Sequence, residues 1–217
     1  KTETAKFQSL KSQLDPHFLF NSLNVLTSLI GENPDQAERF TTKLSKVYRY
    51  VLEQKDKDLI GLEEELSFAS SYMQLLQMRF EEAISFKIPN SISNPDLKIV
   101  PLSLQLLLEN AVKHNVITSR QPLNIEIFEQ DNYLVVKNSL NPKTSIEKST
   151  KVGLANIHQR YALLTRDKVI IDKSDQHFIV KIPLLTQKIN MMKTDYMNDD
   201  AKYLRAKKKV EELKEFY

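Results

Sequence analysis

The first candidate for chemistry is a histidine in the stretch LDPHFLFNSLN, which runs from residue 14 to residue 24. Pro16 lies in a run whose apolar residues recur at helical spacing, and an interior proline costs a helix about 3 kcal/mol. His17 follows it directly, and Asn21 lies one turn further on, on the same helix face. His17 is therefore a candidate nucleophile that Asn21 could orient by a hydrogen bond. For a lone histidine, a partly buried ring bonded to a nearby carbonyl group is the more common alternative.

A second group of polar side chains lies in the segment LLLENAVKHN. Glu109 and Asn110 are adjacent, and Lys113 and His114 follow one turn later on a neighbouring face of the predicted helix. A carboxylate and an amide oxygen suit Mg²⁺, which prefers oxygen ligands. On an isolated helix, however, a Glu-Asn pair is most often an ordinary surface pair. Spacing alone leaves both interpretations open.

Composition limits the remaining possibilities. The chain has 217 residues, 41% of them hydrophobic and 27% charged, which suits one or two globular domains. It has no cysteine, which excludes disulfides and thiolate chemistry, and no run approaches the roughly 18 apolar residues that cross a bilayer. A net charge of +3 without a basic stripe predicts no direct nucleic-acid binding. The chain opens at Lys1 in mid-pattern without a start methionine, so we expect a fragment of a longer protein.

The first third of the chain has helical periodicity. We predict a helix over residues 4–30, kinked near Pro16 and ended by Gly31, and a second helix that Asn33-Pro34 begins and that runs to about residue 53. The apolar stripes of both helices are too wide for a lone hairpin to cover, which predicts a dimer through a four-helix bundle. The stripe of the second helix is Ala37, Phe40, Leu44, Val47 and Val51.

A third helix is predicted over residues 62–80, and a sheet with further helices follows it. The inward-facing residues predicted for this helix are Leu62, Leu66, Ala69, Met73, Leu76 and Phe80. Three glutamates, Glu63, Glu64 and Glu65, lie in the first turn of this helix, and we interpret all three as capping and solubilising residues. Alternating patterns predict strands at 84–88, 123–127, 133–136, 169–171 and 178–182, with helices at 101–116 and 153–165. A mostly antiparallel sheet with helices on one face predicts an α+β fold, a layered sandwich.

Four segments, in this order along the chain, resemble the motifs of the LytS-like sensor histidine kinases. They are QLDPHFLFNSLN, LEEELSFASSYMQLLQMRF, PLSLQLLLENAVKHN and GLANIHQRYALL, and they span residue 13 to about residue 183. The resemblance implies dimerisation and histidine-phosphotransfer helices over 1–80 and an α/β sandwich ATP-binding domain of the histidine kinase type over 81–185. Residues 186–217 are then a basic C-terminal helix or linker.

The resemblance also implies the roles of individual residues. His17 corresponds to the phosphorylated histidine, the asparagine at the position of Asn110 binds Mg²⁺ through its amide oxygen, and Glu109 orients metal-bound water. ATP and Mg²⁺ are therefore the expected cofactors. The other positions expected at the nucleotide site are Lys113, His114, Asn138, Gly153, Leu154 and Asn156.

The adenine box departs from the family pattern. Most kinases of this fold carry Asp-x-Gly-x-Gly, whose aspartate accepts a hydrogen bond from adenine, whereas the aligned stretch here is VVKNSLNPK. Asn138 stands in the aspartate position, and Gly153 is the one glycine kept in the lid that follows. An uncharged oxygen can still accept the bond, but charged partners are stronger by roughly a factor of two. A non-catalytic signalling module of the same fold therefore stays open as an alternative.

The function that the resemblance implies is the kinase core of a two-component sensor. His17 would be phosphorylated from ATP and would pass the phosphoryl group to an aspartate on the receiver domain of a response regulator, of the LytTR type. The resemblance also implies a homodimer and a location in the cytoplasmic portion of a bacterial plasma-membrane protein. Attachment to the membrane would be through segments outside this chain.

Overall fold

The computed structural model describes residues 16–54, 57–143 and 152–186. The predicted kink near Pro16 depends on residues 4–15, which lie outside the described residues, as do most of the predicted lid and residues 187–217. In the part of the chain that the structure describes, the leading helices are α1 (Pro16–Glu32), α2 (Pro34–Glu53) and α3 (Leu62–Phe80).

The turn between α1 and α2 forms as predicted, with one difference. The side-chain oxygen of Asn33 accepts the N–H of Gln36 at 3.1 Å, and Pro34 occupies the first turn of α2. The prediction that Gly31 ends α1 is wrong, because α1 continues through Gly31 to Glu32. Proline disfavours the helical conformation of the residue before it, so Asn33 is the residue that leaves the helix.

Five strands form one sheet within the described residues. They are β2 (Ile84–Lys87), β4 (Leu123–Gln130), β5 (Tyr133–Ser139), β6 (Ile170–Lys173) and β7 (His177–Pro183), in the order β2-β4-β5-β7-β6. The β2–β4 pair is parallel and the other pairs are antiparallel. A two-residue ladder of β1 (Ile60–Gly61) with β3 (Lys98–Ile99) is too short for a periodic signal, and the sequence did not predict it.

Two further helices cover the sheet, α4 (Ser103–His114) and α5 (Val152–Leu164). The register places Val136 of β5 between Ile127 of β4 and Val180 of β7, and all three are buried. They belong to one hydrophobic core that also contains residues of α2, α3, α4 and α5. The predicted α+β layered architecture is confirmed.

Helix α3 lies between two layers. The predicted inward residues Leu62, Leu66, Ala69, Met73 and Leu76 are buried, and Phe80 is half-buried. Phe68, Tyr72 and Leu75 are buried as well, although they fall outside that stripe. α3 contacts α2 on one side and β2 and α4 on the other, so a pattern with one apolar face could not describe it.

Candidate active site

Helix α4, which carries Glu109 and Asn110, begins at a strained residue. Leu102 has a φ of 63°, in the left-handed region that costs any residue other than glycine free energy, and a leucine side chain cannot cap a helix. Glu65 of α3 supplies the cap instead. Its Oε1 accepts the N–H of Leu104 at 2.9 Å and its Oε2 accepts the N–H of Leu102 at 3.2 Å. A carboxylate suits this place, because the first N–H groups of a helix lack partners and carry partial positive charge.

The Glu65 carboxyl group is fully buried, with 0% exposure. The hydroxyl of Tyr50, on α2, donates a third hydrogen bond to its Oε2 at 2.5 Å. Burial raises the pKa of Glu65 to about 7, although the Tyr50 hydroxyl, the two N–H groups and the charge of Arg160 act in the opposite direction. Burial, together with the nearby Glu65, also raises the pKa of Tyr50. Glu65 therefore connects α2, α3 and α4 inside the core.

The interpretation of all three glutamates as capping and solubilising residues of α3 is wrong for Glu65. Glu63 and Glu64 are exposed, as predicted. Glu65 instead lies on the inward stripe, three residues after Leu62 and one before Leu66. That position on the stripe was the signal that could have identified it, because an acidic residue on a buried face requires donors.

Helix α5 holds the segment that leads into α4. The hydroxyl of Tyr161, which is 1% exposed, accepts the N–H of Val100 at 3.2 Å. Nη1 of Arg160 donates to the carbonyl oxygen of Pro101 at 2.7 Å. The first turns of α5, where Gly153, Leu154 and Asn156 lie, therefore belong to a helix that is fixed against the start of α4.

The other end of α4 is held by the segment after β5. The amide nitrogen of Asn115 donates to the carbonyl oxygen of Ala111 at 2.8 Å, and its oxygen accepts the N–H of Asn141 at 2.7 Å. The carbonyl oxygen of Asn141 in turn accepts the N–H of Val116 at 2.8 Å. These bonds place the end of β5, which carries Asn138, beside the C-terminal end of α4.

Positive side chains gather at this C-terminal end. The ammonium group of Lys143 donates to the carbonyl oxygens of Lys113 at 3.0 Å and Val112 at 3.3 Å, where the helix dipole favours positive charge. His114 is half-buried beside them. Its burial lowers its pKa, and the charges of Lys113 and Lys143 lower it further. The neutral form of His114 is therefore favoured at neutral pH.

Glu109 is held by a residue that the sequence did not predict. Nε2 of Gln105, one turn earlier on α4, donates to Oε1 of Glu109 at 2.7 Å. Gln105 is 7% exposed, and its Oε1 is buried without a hydrogen-bond partner among the described residues. The signal that could have identified Gln105 is its separation of four residues from Glu109, which puts both on one helix face.

The oxygen atoms of Glu109 and Asn110 fit Mg²⁺ in type and in access, since both side chains are half-buried. Within the described ranges no three His, Cys, Asp or Glu side chains cluster in a way that could hold a metal. Mg²⁺ commonly binds with one or two protein oxygens, several waters and substrate phosphates, and Asn110 with Glu109 suits that mode.

Asn138 lies on the face of β5 that points to the helix layer, in alternation with Leu134 and Val136. It is 4% exposed, and its amide nitrogen donates to the carbonyl oxygen of Ser139 at 2.7 Å. The amide oxygen is therefore the atom that can act as an acceptor. An adenine amino group would need such an acceptor.

The predicted phosphoacceptor lies in the first described turn of α1, but the side chain of His17 is outside the described residues. Asn21 is half-buried on the same helix. Because the His17 side chain is not described, the predicted hydrogen bond between Asn21 and the His17 ring stays a prediction. Phe18, the residue directly after His17, stacks on Tyr72 of α3 with ring centroids 4.9 Å apart. Its ring centroid also lies 6.2 Å from that of Tyr48 of α2. These aromatic contacts fix the start of α1 on the other two helices.

The structure thus brings the predicted nucleotide residues to adjacent elements: four lie on α4, one at the end of β5 and three in the first turns of α5. It does not describe the His17 side chain, so the approach of that ring to the others stays a prediction. No helix in the described ranges has the length and apolar character needed to cross a membrane.

The family model and the relatives that match this chain point to the same family of proteins. Residues 5–84 match the family model described as histidine kinase. The chain is 34% identical over 130 residues to the sensor protein LytS of Oceanobacillus iheyensis, an alignment that covers 59% of this chain and 22% of that protein. It is 32% identical over 174 residues to the sensor histidine kinase YpdA of Escherichia coli, which covers 74% of this chain and 30% of that protein. The chain spans less than a third of the length of these curated relatives.

Among solved structures, the Acinetobacter baumannii histidine kinase AdeS aligns with 77% of this chain and 97% of that chain, at 12% identity and a TM-score of 0.39. The fold is defined by the elements and strand order described above.

Proposed function

This chain belongs to the LytS-like sensor histidine kinases, and from that premise we propose that it is the ATP-dependent kinase core of a two-component sensor. His17 receives the phosphoryl group of ATP and passes it to an aspartate on the receiver domain of a response regulator, of the LytTR type. The observation that carries this proposal is the arrangement on α4. Glu109, held by Gln105, lies beside Asn110 on a helix whose two ends are fixed by neighbouring elements.

Each residue has a role that its surroundings support. Asn110 is the residue that would hold Mg²⁺, and Glu109 would orient a water molecule bound to the ion. The Asn138 oxygen would accept a hydrogen bond from the adenine amino group. When bound, ATP would supply the phosphoryl group, and Mg²⁺ would neutralise the charge that develops on it. A nitrogen of the His17 ring forms the bond to phosphorus as the bond between phosphorus and the ADP oxygen breaks, and the ring proton leaves to solvent. Asn21 holds the ring in the orientation that this attack needs.

Labelling with radioactive ATP and Mg²⁺ tests the phosphoacceptor assignment. We expect the chain to acquire acid-labile label, and we expect His17→Ala to reduce that label to background, because no other histidine lies in the PHFLFN segment. His158→Ala, an exposed position on α5, is the matched control and should label at the rate of the unaltered chain.

Two results would count against the assignment. Undiminished acid-labile label in His17→Ala would place the phosphoryl group elsewhere. Binding of a non-hydrolysable ATP analogue without any label in the unaltered chain would favour the alternative, a non-catalytic signalling module whose altered Asn138 box does not support transfer.

The chain is proposed to act as a homodimer through α1 and α2. Three large apolar side chains of α1 are exposed in the single chain: Phe20 at 67%, Leu23 at 44% and Ile30 at 60%. A second hairpin would cover them and complete a four-helix bundle. We further propose that the kinase core lies on the cytoplasmic side of a bacterial plasma membrane, where ATP is present, attached through other segments. It has no direct contact with nucleic acid.

Leu23→Glu is expected to convert the dimer to a monomer, because an unpaired charge would be forced into the interface. Light scattering at tens of micromolar should show the mass of two chains for the unaltered protein and of one chain for the variant. Ser119→Glu, at an exposed position in the loop after α4, is the control and should remain dimeric. A dimeric Leu23→Glu, or a monomeric unaltered chain, would contradict this interface.

A further inference from the structure

We propose that Tyr50 and Glu65 are positioning residues for phosphoryl transfer, which join the helical hairpin that carries His17 to the helix that carries Asn110. The inference rests on the proposed function. Neither residue touches nucleotide or the phosphoacceptor in this assignment. They act by fixing the position of α4 relative to α1 and α2.

We call the hydrogen-bonded pair of Tyr50 and Glu65 the joint. On the side of the helical hairpin, the joint continues into a series of aromatic contacts. Phe18, adjacent to His17, stacks on Tyr72 of α3, and Tyr72 lies 6.0 Å from Phe68 of the same helix. The ring of Phe68 stacks on Tyr50 of α2, with centroids 4.4 Å apart and planes 16° from parallel. The start of α1 and the last turns of α2 are therefore held against one face of α3, and the series ends at the Tyr50 hydroxyl.

The α4 side of the joint is the buried carboxylate. The hydroxyl of Tyr50 donates to Glu65, and both carboxylate oxygens also accept an N–H from the first residues of α4. A buried acceptor that loses a donor is not compensated by water, because Glu65 has 0% exposure. A shift of α2 against α4 would therefore leave either the phenol or the carboxylate without its partner.

The position of α4 matters because that helix carries Asn110, which would hold Mg²⁺, and Glu109, which would orient a water molecule bound to the ion. Leu102 keeps its left-handed conformation at the entry to α4, and Glu65 is the group that pairs its N–H. From this point α4 runs through Gln105 to Glu109 and Asn110 as one rigid element. The joint thus fixes where these two side chains stand relative to the hairpin, while leaving the nucleotide pocket itself to α4, β5 and α5.

The variant Tyr50→Phe isolates the joint, because it keeps the ring that stacks on Phe68 and deletes the hydroxyl alone. The experiment uses the full chain and measures three quantities: the rate of His17 labelling at saturating ATP, the affinity for a non-hydrolysable ATP analogue, and the unfolding temperature. We expect the labelling rate to fall about tenfold at a temperature where the variant is fully folded. The analogue affinity should stay within about twofold. Tyr133→Phe, at a half-buried position on β5, is the control and should leave all three quantities unchanged.

A second variant tests the carboxylate with the same readouts. Glu65→Gln keeps the side-chain shape and should slow labelling at least as much as Tyr50→Phe, whereas Glu63→Gln, in the same helical turn but exposed, should not. If the two residues act as one unit, the double variant Tyr50→Phe with Glu65→Gln should label no more slowly than the slower single variant.

A role confined to stability would lower the unfolding temperature of Tyr50→Phe and leave the labelling rate of the folded protein unchanged, and that result overturns the inference. Equal losses of rate and analogue affinity would also overturn it, because they would place the effect in nucleotide binding. These outcomes differ from failure of the proposed function. An unaltered chain that acquires no label overturns the proposed function together with this inference, whereas a labelled chain with an unaffected Tyr50→Phe overturns this inference alone.

Discussion

Asn110→Ala is expected to slow ATP-dependent labelling of His17 by at least about 100-fold, or about 2.7 kcal/mol in the activation barrier. The amide oxygen of Asn110 is the protein ligand proposed for Mg²⁺, and phosphoryl transfer depends on that ion to neutralise developing charge. Alanine is the most favourable helix residue, and Asn110 is half-buried, so α4 should fold normally. The measurement is the initial rate of labelling over a range of Mg²⁺ concentrations, with the unfolding temperature recorded for each protein.

The Mg²⁺ range makes this experiment specific. A weakened metal site should leave the rate of Asn110→Ala still rising at concentrations where the unaltered chain is saturated. Asn90→Ala, in an exposed loop outside α4, is the control and should follow the unaltered chain. An Asn110→Ala rate within threefold of the unaltered protein, at equal stability, would remove Asn110 from the metal site.

Glu65→Ala is expected to lower the free energy of unfolding by at least about 3 kcal/mol, because three buried donor groups lose their acceptor at a cost of about 1–3 kcal/mol each. The substitution leaves the Tyr50 hydroxyl and the N–H groups of Leu102 and Leu104 without acceptors inside the core, and each unpaired group has its own desolvation cost. Urea unfolding gives the free energies. Glu63→Ala, in the same helical turn but exposed, should change stability by no more than about 0.5 kcal/mol. A loss below 1 kcal/mol for Glu65→Ala would mean that water replaces the carboxylate without penalty.

The same carboxyl group predicts a dependence of stability on pH. Burial raises the pKa of Glu65 from 4.5 to about 7 in the folded chain, so between these values the folded state holds a proton that the unfolded state has released. This contribution to stability is fully present below about pH 4.5 and is lost as the pH rises through about 7. The groups that face Glu65 are Tyr50 from α2 and Arg160 and Tyr161 from α5, and only Glu65 among them changes charge in this range.

Comparison with Glu65→Gln isolates this effect, because glutamine does not titrate and the other acidic groups cancel in the difference. The stability of the unaltered chain relative to Glu65→Gln should fall as the pH is raised from about 5 to about 8 and then level off. Urea unfolding of both proteins at unit steps of pH measures the difference. A difference that is constant over this range would show that Glu65 has an ordinary pKa in the fold.

The sequence by itself determined the elements whose signals are local. The five buried residues of α2 are those of its predicted stripe, because a helix with a single packed face repeats its apolar residues at a fixed spacing. The sequence also predicted that Asn33 caps α2 and that Pro34 begins it, because both effects depend only on neighbours within three residues. The alternating segments became strands of the sheet for the same reason. The motif order also identified the family, although the roles of the site residues remain predictions.

Tertiary structure alone decided the features that depend on groups far apart in the chain. The burial of α3 on two sides follows from its place between α2 and α4, so residues outside its predicted stripe, Phe68 and Tyr72, became part of the core. Glu65 shows the physical reason most directly. As an acidic residue in the first turn of a helix, Glu65 was expected to be a solvated cap. The backbone donors that it meets instead belong to Leu102 and Leu104, 37 and 39 residues away. A carboxylate takes its role from the groups that the fold sets opposite it, and those groups are assembled only when α2, α3 and α4 pack together.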